Sequence, residues 1–155
     1  MQIRKIEKNE LNDLGILFEH GNFERYKWEL YQDIINGVRD IYVVVEDRKL
    51  IGEITVHYKT INNIEAIENK RVYLSAYRIL KSKQGLGLGQ KLLEYVLKDL
   101  IKKGYNEFTI GVEEENLKAK YIYEKFGFNK VIAKLDGTYK EASYEYDLLL
   151  KVNKI

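Results

Sequence analysis

The sequence predicts one α/β domain in which helices cover both faces of a sheet. Its 155 residues are enough for a single domain with a sizeable core. Hydrophobic residues make up 45% and charged residues 32%, which is typical of a globular chain. Predicted strands and helices follow one another in mixed order around a central glycine-rich turn, which favours a layered α/β arrangement.

The first part of the chain is predicted to contain a strand, two helices and a β-hairpin. Ile3 and Ile6 mark the opening strand, and Asn9 is expected to cap the first helix. That helix should end at Gly21-Asn22, and the second helix should end at Gly37. The helices are predicted at Glu10–Phe18 and Phe23–Asn36, and the hairpin at Ile41–Val45 and Leu50–Tyr58, turning at Asp47–Lys49.

The second part begins with a polar connection, Thr60–Lys70, and ends with two strands expected to join through Asp136-Gly137. Helical spacing of leucines predicts the third helix, and Asn116 is well placed to cap the fourth, which should end at Gly127. The strands are predicted at Arg71–Leu80, Glu107–Val112, Phe128–Ala133 and Ser143–Val152, and the helices at Gln90–Lys103 and from Asn116 to Phe126.

Composition excludes several classes of protein. The absence of cysteine excludes a disulfide scaffold, a thiolate zinc site and a cysteine nucleophile, and two histidines exclude a multi-histidine metal site. The 26 basic and 24 acidic residues nearly cancel, which argues against a nucleic-acid partner. Neither a membrane span nor a signal peptide is evident, so a cytoplasmic protein without a membrane partner is expected.

The glycine-rich turn, Gln84–Gly89, lies between a predicted strand and a predicted helix. Glycine amides next to a helix N-terminus favour an anion such as a phosphate, although a flexible surface turn would have the same spacing. A P-loop and a dinucleotide-binding fingerprint both fail here, because Gln90 stands where each motif needs a glycine.

Two motifs resemble those of the GNAT superfamily of N-acetyltransferases. Gln84, Gly87 and Gly89 match the pattern Gln/Arg-x-x-Gly-x-Gly/Ala of the family's acyl-CoA loop. The segment from Asn116 to Phe128 is similar to the signature Asn-x-x-Ala-x-x-x-Tyr-Glu-Lys-x-Gly-Phe. The resemblance implies a mixed, mostly antiparallel sheet of about seven strands in the order β-α-α-β-β-β-α-β-α-β-β. It also implies transfer of an acetyl group from acetyl-CoA to an amine, with no metal.

The resemblance assigns the acetyl-CoA contacts to two segments and one asparagine. The strand before the loop should bind the pantetheine arm, and the amide near Tyr77 could polarise the thioester carbonyl. Asn116 should cap its helix, and a further contact with the pantetheine arm is left open. Leu86 and Leu88 are expected to pack the helix against the sheet. The predicted binding residues are Tyr77, Ile79, Gln84, Gly85, Leu86, Gly87, Leu88, Gly89 and Asn116.

Tyr123 is the predicted general acid, because a positioned phenol can protonate the departing thiolate. The general base is less well defined, since Tyr73 stands where many relatives carry a glutamate. Glu53 and Glu113 are the candidate bases, acting directly or through water, although a solvated surface carboxylate is the more common interpretation of each. His57 is a further candidate, although a lone strand histidine is more often structural.

The expected acceptor is a small-molecule or peptide amine. The resemblance places its pocket at Glu19–Phe23 and Lys134–Lys140, and a homodimer is compatible with it. Because the chain has no cysteine, a sulfur-linked acyl-enzyme is excluded, and direct attack in a ternary complex is the simplest route. A degenerate relative that binds coenzyme A or a protein partner without chemistry is the alternative.

Overall fold

The computed structural model describes residues 1–17, 23–139 and 142–153, and in this part of the chain it has seven strands and four α-helices. The strands are β1 (Gln2–Lys5), β2 (Arg39–Glu46), β3 (Lys49–His57), β4 (Arg71–Ile79), β5 (Glu107–Val112), β6 (Lys130–Tyr139) and β7 (Ala142–Val152). The helices are α1 (Leu11–Leu17), α2 (Phe23–Ile35), α3 (Leu88–Lys102) and α4 (Leu117–Lys125). This order is the one predicted from the sequence.

The strands form one sheet in the order β1-β2-β3-β4-β5-β7-β6. Strands β4 and β5 pair in parallel. The pairs β1–β2, β2–β3, β5–β7 and β6–β7 are antiparallel. The predicted fold class, a mixed and mostly antiparallel sheet of about seven strands with helices, is therefore confirmed.

The chain divides into two compact units, and each has its own buried residues. The first unit is Met1–His57 with Ala76–Asp99, and there Leu11, Leu14 and Leu30 of the helices pack against Ile41, Val43 and Leu50 of the strands. The second unit is Tyr58–Ser75 with Leu100–Ile155. Its buried apolar residues include Phe108, Ile110, Phe128 and Leu148. A single domain over the whole chain stays a prediction.

The start of the first helix differs from its prediction. Asn9 lies inside a short 3-10 turn, Lys8–Glu10, and does not cap α1. The Glu10 carboxylate instead accepts a hydrogen bond from the Glu7 backbone N–H at 2.9 Å and pairs with Arg4 at 2.7 Å. This glutamate therefore satisfies the backbone N–H of Glu7, the residue that precedes the 3-10 turn, as the third residue of a capping box does. The predicted stop at Gly21-Asn22 lies outside the described residues.

The last hairpin also differs, because Asp136-Gly137 is not a turn. Both residues lie within β6, where Asp136 pairs with Glu145 and Gly137 pairs with Tyr144. A Cβ atom at position 137 would lie 2.5 Å from Cζ of Tyr144. The glycine therefore makes room for an aromatic ring across the strand pair, and β6 is longer than predicted.

The first hairpin turns where the sequence predicted. Asp47 and Arg48 have φ angles of +50° and +64° and join β2 to β3 as a two-residue turn. Among the described residues, no helix is long and apolar enough to cross a lipid bilayer.

Candidate active site

The glycine-rich turn presents an open backbone surface at the start of α3. Gly85 and Gly87 have φ angles of +81° and +78°, and an added Cβ atom would meet no atom within 4 Å at either position. The Gly87 carbonyl accepts a hydrogen bond from the Lys91 N–H at 3.1 Å, so the helix begins directly after this glycine. The first amides of a helix have no partners within it and attract anions. An anion such as a phosphate could therefore approach these amides without meeting a side chain at Gly85 or Gly87.

Side chains on both sides hold this turn in place. Gln84 donates its Nε2 hydrogen to the Ile79 carbonyl at 2.9 Å. The Tyr77 hydroxyl donates to the Gly89 carbonyl. A Cβ atom at position 89 would lie 3.0 Å from the Tyr77 Oη atom, so a side chain there would crowd this hydrogen bond. Gln84 thus anchors the loop, Gly87 allows it to bend, and Gly89 leaves room for the Tyr77 hydroxyl.

The two leucines of the turn do not behave alike. Leu88 is buried, as expected, whereas Leu86 is 65% exposed. The prediction that both leucines pack the helix against the sheet is therefore wrong for Leu86. Helix α3 starts at Leu88, two residues before its predicted start, and burial of Leu88 is a physical reason for this extension.

Strand β4 changes its backbone direction before it reaches the turn. Its pairing with β5 covers Arg71 to Leu74, while the strand itself continues to Ile79. Ala76 has a φ angle of +50°, a conformation that costs an alanine about 1–2 kcal/mol. Such strained positions concentrate at functional sites. Sequence reasoning missed this feature, since nothing about an alanine in a strand indicates a positive φ.

Tyr123 lies on α4 with its side chain buried. The Asn116 carboxamide oxygen accepts a hydrogen bond from the Ala119 N–H at 3.1 Å, which confirms that asparagine as the helix cap. Tyr123 is 8% exposed, and its ring meets Phe128 edge to face at 6.1 Å. Burial raises the pKa of Tyr123 to about 12. The phenol therefore keeps its proton at neutral pH, as a general acid must.

The two candidate bases have different environments. Glu53 is only 2% exposed and pairs with Arg78 at 3.1 Å, so the expectation of a solvated surface carboxylate is wrong for this residue. A buried carboxylate requires such a partner, because an unpaired charge in the core is costly. Glu113 is exposed, as expected.

Two other predicted groups have shifted protonation equilibria. Burial, with a smaller contribution from the charge of Arg39, lowers the pKa of His57 to about 4. Burial also raises the pKa of Tyr73, which forms a hydrogen bond with Tyr146. The Tyr146 hydroxyl in turn donates to Glu65 at 3.2 Å. Sequence reasoning missed Tyr146 and Glu65, because Tyr146 is distant from Tyr73 along the chain and neither residue belongs to a motif.

Comparison with known families decides the identity of the chain. The model of the acetyltransferase (GNAT) family matches residues 6–128. The chain belongs to the GNAT acetyltransferase family. Its acyl-CoA loop motif, from Gln84 to Gly89, and its second motif, from Asn116 to Phe128, both lie within the matched region. No curated protein sequence matches this GNAT acetyltransferase.

Solved structures confirm the fold of this GNAT protein. It is similar to the ribosomal-protein-alanine N-acetyltransferase of Brucella melitensis (16% identity, 98% of this chain and 99% of that chain, TM-score 0.77). It is similar to a putative acetyltransferase of Salmonella typhimurium with its cofactor acetyl-CoA (17% identity, 100% of this chain and 95% of that chain, TM-score 0.77). A third similar structure is that of a mutant spermidine N-acetyltransferase of Vibrio cholerae (18% identity, 98% of this chain and 95% of that chain, TM-score 0.76).

The segments expected to form the acceptor pocket of this GNAT protein are described only in part. Of Glu19–Phe23, residues 19–22 lie outside the described residues, as does Lys140 at the end of the second segment. At the other end of that segment, Lys134 pairs with Asp147 at 3.0 Å. Within the described part of the chain, no group of three or more His, Asp or Glu residues could hold a metal ion.

Proposed function

We propose that the chain transfers an acetyl group from acetyl-CoA to a primary amine, which attacks directly while both substrates are bound. The observation that carries this proposal is the turn from Gln84 to Gly89, whose open glycines lead into the N-terminus of α3. This surface suits the pyrophosphate of coenzyme A, because backbone amides and the helix dipole both favour negative charge.

The pantetheine arm is assigned to the backbone of β4 beyond its paired region, near Tyr77 and Ile79. Pairing of β4 with β5 ends at Leu74, and the positive φ of Ala76 redirects the strand two residues later. A backbone N–H near Tyr77 would stabilise the negative charge that develops on the thioester oxygen. Asn116 is a proposed further contact in addition to its role as helix cap.

Tyr123 is the proposed acid for the departing thiolate. Proton transfer from a phenol with a pKa of about 12 to an ordinary thiolate, whose conjugate acid has a pKa of about 8.5, is uphill by about 5 kcal/mol. The proposal therefore requires surroundings that raise the pKa of the departing sulfur, as burial does for a thiol. The candidate bases are Glu53 and Glu113, acting directly or through water.

Release of free thiol from acetyl-CoA across a panel of primary amines tests the activity. Initial rates measured against both substrates should give intersecting double-reciprocal lines, because a ternary complex forms before transfer. Parallel lines would contradict direct transfer.

A second candidate is a protein that binds coenzyme A without chemistry. It is favoured by Tyr73, which stands where many relatives carry a glutamate. Acetyl-CoA binding without thiol release from any amine would identify this alternative.

A further inference from the structure

One glutamate and three tyrosines form a cluster in the second compact unit, referred to below as the Glu65 cluster: Glu65, Tyr73, Tyr144 and Tyr146. Glu65 lies in the connection between β3 and β4, Tyr73 lies on β4, and the other two tyrosines lie on β7. The Tyr146 hydroxyl donates to Oε2 of Glu65 at 3.2 Å and forms a hydrogen bond with Tyr73. The rings of Tyr144 and Tyr146 are 5.9 Å apart, centroid to centroid.

The Glu65 carboxylate is held in position by neutral groups. Asn62 donates its Nδ2 hydrogen to Oε1 of Glu65 at 2.9 Å, and its Oδ1 atom accepts from the Glu65 backbone N–H at 2.9 Å. The Thr109 hydroxyl donates to the Glu65 carbonyl at 2.6 Å. Backbone and side chain are thus fixed together, so ordering this carboxylate for a ligand costs little further entropy.

No cation of the described residues lies within ion-pair distance of Glu65. Arg71 is close in sequence and donates to the Ile64 carbonyl at 2.7 Å, but it pairs with Glu107 at 2.8 Å. Each oxygen of Glu65 accepts one hydrogen bond from a neutral donor, and a carboxylate has about four acceptor sites. Its negative charge is therefore available to a cation from outside the chain.

Two glycines position the aromatic rings of the cluster. A Cβ atom at Gly111 would lie 2.7 Å from Cδ2 of Tyr146, and one at Gly137 would lie 2.5 Å from Cζ of Tyr144. The rings therefore lie over these glycines, and Tyr144 remains 39% exposed. The face of an aromatic ring attracts a cation within about 6 Å. A carboxylate beside exposed aromatic surface suits an organic ammonium group better than a hydrated metal ion.

We propose that the Glu65 cluster binds a positively charged group of the acceptor, so that the acceptor is an amine carrying a cation at neutral pH. This inference rests on the proposed acetyl transfer, since the acceptor is its second substrate. Tyr73 connects the cluster to β4, three residues before the strained Ala76. Glu65 provides the charge, Asn62 and Tyr146 orient it, and the rings of Tyr144 and Tyr146 cover the organic part of the ligand.

Equilibrium binding without acetyl-CoA tests the cluster directly. The probes are butylammonium, 1,4-diaminobutane and tetramethylammonium, measured by calorimetry or by NMR titration. The Glu65→Gln variant keeps the shape and removes the charge, and it should weaken binding of all three probes by about tenfold or more. Glu68→Gln is the matched control, because Glu68 is exposed, lies in the same connection and is only three residues away.

Ring and hydroxyl variants separate the two parts of the cluster. Tyr144→Leu should weaken tetramethylammonium binding several-fold, because that ion cannot donate a hydrogen bond and depends on the aromatic surface. Tyr146→Phe keeps the ring and should cost less affinity than Glu65→Gln. Glu65→Lys should abolish binding of every probe, and a native melting temperature in each variant shows that the fold is intact.

The outcomes distinguish this inference from the proposed activity. Glu65-dependent probe binding without thiol release from any amine would uphold the cluster and reject acetyl transfer. Thiol release by the Glu65→Gln variant with an unchanged KM for cationic amines would support the proposed activity. It would contradict cation binding by the Glu65 cluster. Failure of all three probes to bind the wild-type protein, or equal losses in Glu65→Gln and Glu68→Gln, would also overturn it.

Discussion

Replacing Gly87 with alanine should weaken acetyl-CoA binding far more than the same change at Gly85. Both glycines have nearly equal positive φ angles, +78° and +81°, and neither has an atom within 4 Å of an added Cβ. An alanine in this conformation costs about 1–2 kcal/mol, so both variants should lose similar stability. In a chain of this size that loss lowers the melting temperature by about 2–8 °C.

The difference in affinity follows from the position of Gly87 directly before α3. A methyl group there keeps a phosphate from the first amides of the helix, and each hydrogen bond to a charged group contributes about 1.5–3 kcal/mol. Loss of one such bond raises the Kd for acetyl-CoA about tenfold to a hundredfold. Gly85 stands at a variable position of the motif and would contact the ligand only through its backbone, so Gly85→Ala should raise the Kd by less than about threefold.

Calorimetric titration of both variants with acetyl-CoA measures this difference, and thermal unfolding measures the shared strain. Equal affinity losses at the two positions would show that strain alone explains the effect. Wild-type affinity in Gly87→Ala would refute the assignment of the pyrophosphate to this turn.

Three further changes test other residues of the site. Tyr123→Phe should lower kcat by about 10²–10⁴-fold with little change in the KM for acetyl-CoA, and unchanged turnover would reject the acid role. Glu53→Gln should lower the free energy of unfolding by about 1–3 kcal/mol, because Arg78 loses its charged partner. Glu113→Gln should leave the melting temperature unchanged. A lower kcat in Glu113→Gln alone would identify Glu113 as the base. The pKa of His57 falls from 6.5 to about 4 on folding. Between these pH values the imidazole therefore takes up a proton only in the unfolded state. The free energy of unfolding should then fall by up to about 3 kcal/mol as the pH drops through this range. Urea unfolding of His57→Gln should show a correspondingly smaller loss, and an identical pH profile would contradict the shift.

Local sequence determined the helices, the glycine turn and one helix cap. Apolar residues at helical spacing predicted α3, because this helix buries one face, whereas Asn116 and Gly127 marked the two ends of α4. Asn116 caps α4 as expected, since that hydrogen bond joins residues only three apart. The two motifs predicted the family, because the residues of each motif lie close together along the chain.

Tertiary structure decided whatever depends on partners distant along the chain. Gly137 lies in a strand paired with Tyr144, whose ring packs over it. Glu53 is a buried ion-pair partner because Arg78 reaches it from β4. Tyr146 and Glu65 are 81 residues apart and meet only after folding. A sequence pattern indicates which face of a helix or strand is buried, whereas contacts between distant segments depend on how those elements pack together.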